Sequence, residues 1–191
     1  IGANIGLYSI YSAIKNKSST SISFEPSTSN LRVLSRNISI NKLESKIKIF
    51  PIPLSNKENK FLLMKEGEFM EGAALNSFGE DFDFEGRKFE KKMSYKILGT
   101  TINYLIDKKI LEVPDYIKID VDGIEHLILA GAKLTLKKVK SVLVEINDDF
   151  EEQKFNCENV LRKEGLTLFS KTRTSPIDSS TPNVFNQIWT K

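Results

Sequence analysis

The chain has little of what builds metal centres, disulfide frameworks or membrane spans. Its 191 residues include one cysteine, one histidine and one tryptophan. A lone Cys157 excludes an internal disulfide and suits a reducing compartment, so a cytoplasmic setting is expected. Set among Phe155, Val160 and Leu161, it reads as a buried structural thiol on a helix. His126 alone makes a weak metal argument, and its place one residue into a helix points to an exposed or capping role. No apolar run approaches the roughly 18 residues that a membrane helix needs. Neither sign of charge dominates: the net charge is +3, and the basic residues are scattered as Lys15/Lys17, Lys91/Lys92 and Lys137/Lys138/Lys140. These read as solvated faces, with neither nucleic acid nor a membrane as partner. An initiator methionine and a signal peptide are also absent. The chain opens at Ile1 on a glycine-rich turn, so a trimmed chain whose first strand precedes Ile1 is expected. What remains, 40% hydrophobic and 28% charged residues, suits one globular domain over 1–191.

The most informative stretch is Pro114–His126. Tyr116, Ile117, Ile119 and Val121 read as a buried strand, which breaks into Asp120, Asp122, Gly123 and Glu125. Crowded carboxylates repel one another and lose hydration on burial, so such a cluster usually holds a cation, a proton or a polar ligand. In open α/β sheets the ligand crevice lies just beyond the strands' carboxyl ends.

A second ligand is suggested by residues 1–25. Gly2-Ala3-Asn4-Ile5-Gly6 is a turn at which a ligand can approach the backbone. Leu7, Ile10, Tyr11 and Ile14 then share one helical face, and the helix N-terminus favours an anionic group. The strand Ser21–Phe24 ends in Glu25, 19 residues after Gly6, near the spacing at which an acid meets ribose hydroxyls. Together these features point to a nucleoside.

The alternation continues. Leu31, Leu34 and Ile38 mark a helix capped near Ser27–Ser29, with Asn30, Asn37 and Asn41 on its polar side and at its end. Ile47–Phe50 is a strand that leaves through Pro51–Asn56, placed to lie beside an adenine. Lys60–Met64 reads as an extra strand. Residues 67–100 show little periodicity; five glycines punctuate them, yet Phe69, Met70, Leu75, Phe78, Phe82 and Phe84 are apolar, which favours a lid or substrate wall over disorder. Ile102–Ile106 is a short helix. Leu127, Ile128 and Leu134 mark another, weakened at Gly131. Val142–Ile146 is a strand running into Asn147, Asp148 and Asp149, and the helix 152–164 stops at Gly165. Leu166–Phe169 and Val184–Trp189 close the sheet as an antiparallel edge hairpin across a polar 172–183 loop.

Taken together, Ile1–Gly6, Phe24-Glu25-Pro26, Tyr116–Glu125, Val144–Asn147 and Asn186–Trp189 resemble the FkbM family of S-adenosylmethionine-dependent methyltransferases. The resemblance implies a Rossmann-like class I sheet, mostly parallel, with the antiparallel hairpin at its edge. It implies S-adenosylmethionine held by Gly2, Ala3, Asn4, Gly6, Glu25, Pro26, Leu54, Ser55 and Asp120. It also implies methylation of a hydroxyl on a small molecule or sugar. Two departures stand out. The acid that usually precedes the glycine loop falls before Ile1, and Asp122 stands where the family more often has glutamate. A hydroxyl is a poor nucleophile until a base or metal draws off its proton. Asp120 is the first choice for that base or metal ligand, with Lys118 as an electrostatic aid. Glu125 and Glu145 are candidates to bind the acceptor or a divalent cation, which makes a metal an option and not a requirement. Alternatively, Glu125 merely opens a helix. The competing readings are a nicotinamide-dependent oxidoreductase, which the Gly2–Gly6 spacing disfavours, and a non-catalytic nucleoside-binding module.

Overall fold

Short apolar runs pair into three ladders, and amphipathic helices cover them. The computed structural model describes residues 1–68, 70–174 and 182–191. After the opening turn come α1 (Leu7–Lys15), β1 (Ser21–Phe24), α2 (Thr28–Ile40) and β2 (Ile47–Phe50). Strands β1 and β2 pair in parallel, Ser21 against Ile47 and Phe24 against Phe50. Next, β3 (Lys60–Glu66), β4 (Asn76–Phe78) and β5 (Met93–Gly99) form an antiparallel sheet in the order β4-β3-β5. The last ladder combines β6 (Tyr116–Ile119), β7 (Ser141–Asn147), β8 (Thr167–Arg173) and β9 (Val184–Thr190) in the order β6-β7-β9-β8. Its β6–β7 pairing is parallel, whereas β9 runs antiparallel to both neighbours. The result is an α/β fold with mixed sheets.

The helices α3 (Ile102–Asp107), α4 (Glu125–Ala130), α5 (Lys133–Leu136) and α6 (Glu151–Lys163) complete the order. The weak point expected at Gly131 is a break: α4 ends there, and a Cβ at Gly131 would meet the Ser55 carbonyl at 2.2 Å. The main core gathers Ile119, Ile128, Leu136, Val142, Val144 and Trp189, and a second cluster packs Ala13, Leu34, Ile38 and Ile47. No described helix is long and apolar enough to cross a membrane.

Two expectations change. Residues 67–100 are not a long irregular loop, because β4 and β5 lie within them. Tyr95, Ile97 and Gly99 alternate inward along β5, a period masked in the sequence by Lys96 and the nearby glycines. Phe69 lies outside the described residues, as do residues 175–181 of the polar loop. On α1, the apolar residues at helical spacing are mostly exposed: Leu7 69%, Tyr11 64% and Ile14 55%. Ala13 is buried there instead, with Ile10 packed beside it.

Candidate functional site

The opening turn sits between two strand ends. Gly2 and Ala3 amides donate to the Phe24 carbonyl at the end of β1, while Asp120 N donates to Ile1 O and Ile1 N to Lys118 O. This fit leaves no room for a side chain: a Cβ on Gly2 would lie 1.8 Å from the Asp120 carbonyl, and its φ is +71. Asn4 follows with φ 49 and donates its amide to Glu25 Oε2 at 2.7 Å. Glu25 Oε1 accepts Ser27 N at 3.0 Å. Burial raises the Glu25 carboxyl above its ordinary value, and these amide bonds oppose the rise. The Asn30 side chain also hydrogen-bonds the carboxyl and opposes the rise.

A cavity of about 200 Å³ opens where these strand ends converge. Of the residues expected to hold a cofactor, Gly2, Asn4, Glu25, Pro26, Leu54 and Asp120 line it, and Ala3, Gly6 and Ser55 do not. Met64 and Phe78 wall it from the β4-β3-β5 sheet. The side-chain oxygens of Asn4 and Asn76, both lining residues, are buried without a partner. Such atoms cost free energy unless a ligand or water donates to them.

Two asparagines fasten the Gly72–Ala73 segment to this cavity. Asn30, 1% exposed, donates to Ala73 O and accepts Gly72 N at 2.8 Å, and the Asn4 amide group reaches both Gly72 O and Ala73 O. The sequence placed Asn30 on the polar side of a helix. It is buried against Gly72 and Ala73, a role that no local pattern announces.

Beyond β6 the acidic residues separate. Lys118 Nζ lies 2.5 Å from Asp120 Oδ2 and 4.0 Å from the centre of the Tyr8 ring. The pairing of Ile119 with Val144 brings Asp120 beside Glu145 on β7. Burial raises Glu145 to about 7, and the nearby Asp120 charge adds to the rise. Asp122 has φ 50, and its Oδ2 accepts Leu75 N at 2.7 Å and Asn76 N at 3.1 Å. Burial raises it to about 6. Glu125 does not line the cavity. It is 1% exposed, accepts Val121 N, Gly123 N and Gln153 Nε2, and is raised by burial to about 7.

His126 corrects the expectation of an exposed or capping residue. It is 5% exposed, packed against both Phe82 and Phe150, with its pKa lowered by burial. Its side chain packs against two aromatic rings that sequence spacing does not bring together. Cys157 is fully buried and its thiol raised, as a structural thiol should be. Among the described residues, no three His, Cys, Asp or Glu side chains are grouped to hold a metal ion.

Residues 1–173 match the family model described as the methyltransferase FkbM domain. Among solved structures, the crystal structure of methyltransferase FkbM from Methylobacillus flagellatus KT superposes with a TM-score of 0.65 at 15% identity, covering 100% of this chain and 42% of that one. That likeness concerns the fold alone. The S-adenosylmethionine-dependent methyltransferase SibL, in its apo form, aligns at 13% identity with a TM-score of 0.43, covering 100% of this chain and 48% of that one, too loosely to support an argument. The chain therefore spans less than half the length of either solved structure. A search of the curated proteins gives no match. Matched by the family model over residues 1–173 of its 191, the chain belongs to the FkbM methyltransferase domain family.

Proposed function

We propose that this chain is a single S-adenosylmethionine-dependent methyltransferase domain that methylates a hydroxyl on a small molecule or sugar. The observation that carries this reading is the placement of Glu25 and Asp120 on either side of the Gly2–Asn4 turn, in the wall of one cavity. The residues present fit the cofactor. Glu25 supplies a carboxylate in the cavity wall that can accept ribose hydroxyls, Asn4 and Asn76 offer unpartnered oxygens, and Leu54 supplies an apolar wall. The backbone of Ile1–Ala3 bonds to the ends of both β1 and β6, which supports reading their ladders as parts of one Rossmann-like sheet.

When bound, S-adenosylmethionine supplies an electrophilic sulfonium methyl, so the chain has to position the acceptor and manage one proton. Asp120 accepts the acceptor hydroxyl proton as oxygen takes the methyl group. Lys118 Nζ holds Asp120 Oδ2 in place, and Glu145, adjacent and raised to about 7, can carry the proton near neutrality. The donor set supports a base over a metal ligand at Asp120, since Lys118 occupies one of its oxygens and Glu125 faces the loop amides. The 67–100 insertion, with its 72–76 loop fastened over the cavity, acts as the lid. Titration calorimetry with S-adenosylmethionine and its demethylated product tests this reading: saturable binding of both is expected. Binding of neither, with reduced nicotinamide bound instead, would replace it with the oxidoreductase reading.

A further inference from the structure

We infer that Gln153 is a positioning residue for the cofactor cavity, acting through Glu125 on the Val121–Gly123 loop; the inference rests on reading that cavity as the S-adenosylmethionine site. Gln153 lines no part of the cavity and is 2% exposed in the first turn of α6. Its Nε2 donates to Glu125 Oε2 at 2.5 Å, and its Oε1 accepts Asn147 N at 2.8 Å. Glu125 in turn accepts Val121 N at 3.0 Å and Gly123 N at 3.1 Å. One run of bonds thus links the end of β7, through α6, to the loop after β6. That loop contributes Asp120, Val121, Asp122 and Ile124 to the cavity wall. Asn147 Nδ2 extends the run to Phe84 O of the insertion at 3.0 Å.

The chemistry asks for a carboxamide at position 153. One side chain must donate to a carboxylate and accept from a backbone amide, which glutamate, leucine and methionine cannot do together. An apolar replacement leaves Asn147 N unpaired and removes one of the three donors that fix Glu125. The loop needs such an anchor. Asp122 holds φ 50 there, and a left-handed conformation at a non-glycine residue persists only when its surroundings enforce it. No sequence signal marks Gln153, because its partners lie 6 and 28 positions away.

Gln153→Met and the exchanged pair Glu125→Gln/Gln153→Glu separate positioning from packing. The exchanged pair keeps a bond between the two side chains and an acceptor for Asn147 N. However, the carboxamide at position 125 has one acceptor oxygen for two loop amides. Gln153→Met should melt cooperatively and bind S-adenosylmethionine at least about fivefold more weakly by calorimetry. The exchanged pair should recover the melting temperature and leave affinity low. Independently of any cofactor, the Val121 and Gly123 amides should exchange hydrogen faster in both variants, while Val142 and Val144 in β7 keep their protection. Wild-type affinity in Gln153→Met overturns the inference, as does recovery of affinity together with stability in the exchanged pair. So does failure of both variants to melt cooperatively, since the pair would then hold up the whole fold. If the wild-type chain binds no S-adenosylmethionine, the reading of the cavity fails, and exchange alone decides: unaltered protection at Val121 and Gly123 overturns the positioning role.

Discussion

The Asp122 carboxylate holds the Leu75 amide at 2.7 Å, and the same oxygen takes the Asn76 amide at 3.1 Å, joining segments 47 residues apart. On the other side of the cavity, Asn4 and Asn30 grip Gly72 and Ala73. The 72–76 loop is therefore fastened by residues that belong to the cavity itself, so a ligand that reorganises Asn4 or Asp122 acts on the loop directly.

Asp122 carries a stability cost that depends on pH. Its carboxyl is raised by burial to about 6, against an ordinary value near 3.9. Between those values the folded state holds more proton than the unfolded one. The contribution from Asp122 is thus full below about pH 4 and is lost as pH rises through about 6. Asp122→Asn keeps an oxygen for the Leu75 and Asn76 amides and removes the ionisation. Urea unfolding should show the variant more stable than wild type by about 1–2 kcal/mol at pH 8 and little changed at pH 4, partial exposure trimming the full value. A gain of equal size at both pH values would show that ionisation is not involved.

The insertion is expected to open when its asparagine clamp is cut. Asn30→Ala removes the bonds to Gly72 N and Ala73 O, so protease cleavage within 67–90 should be faster in the variant than in wild type. Cofactor with product should slow cleavage in wild type. If cleavage proceeds at one rate in all these samples, the insertion is a fixed wall and not a lid.

Where chemistry and sequence proximity coincide, residues expected to share a site do line one cavity. Glu25 and Asp120 each sit at the end of an apolar run, and polar residues at such junctions have no packing reason to be there. Lys118 and Asp120, two residues apart at the end of β6, share one side of it. Residues that act across the fold were not legible. Asn30 looks like any polar helix residue until Gly72 and Ala73 arrive from the insertion. Glu125 carries the same charge as its neighbours, but its work depends on amides two and four residues back and on Gln153 in α6. The burial of His126 depends on Phe82 and Phe150, and the exposure of Leu7 and Tyr11 could not be told from periodicity, which finds a stripe and not what covers it.

Glu25 is expected to accept both ribose hydroxyls. Glu25→Ala should weaken S-adenosylmethionine binding by about 1.5–3 kcal/mol, the range for charge-assisted hydrogen bonds. Because Asn4 N and Ser27 N also lose their acceptor, the melting temperature must be measured alongside. Unchanged affinity in a folded variant would remove Glu25 from the site.

On the proposed reading Asp120 is expected to bear the mechanism, with Glu145 setting its pH dependence. Asp120→Asn keeps the shape beside Lys118 and removes the base, so turnover should fall by at least about 10²-fold while affinity for S-adenosylmethionine, held chiefly by Glu25 and the turn, changes little. A carboxylate must be ionised to take the acceptor proton. With Glu145 raised to about 7, the rate should climb as pH rises through neutrality and level off above it. Glu145→Gln removes that titration, and the limb should flatten or move toward lower pH. Rescue of Asp120→Asn by excess magnesium or manganese would favour a metal ligand over a base at this position. An Asp120→Asn chain that binds cofactor and methylates at the wild-type rate would leave Asp120 with a structural role beside Lys118 and no part in proton transfer.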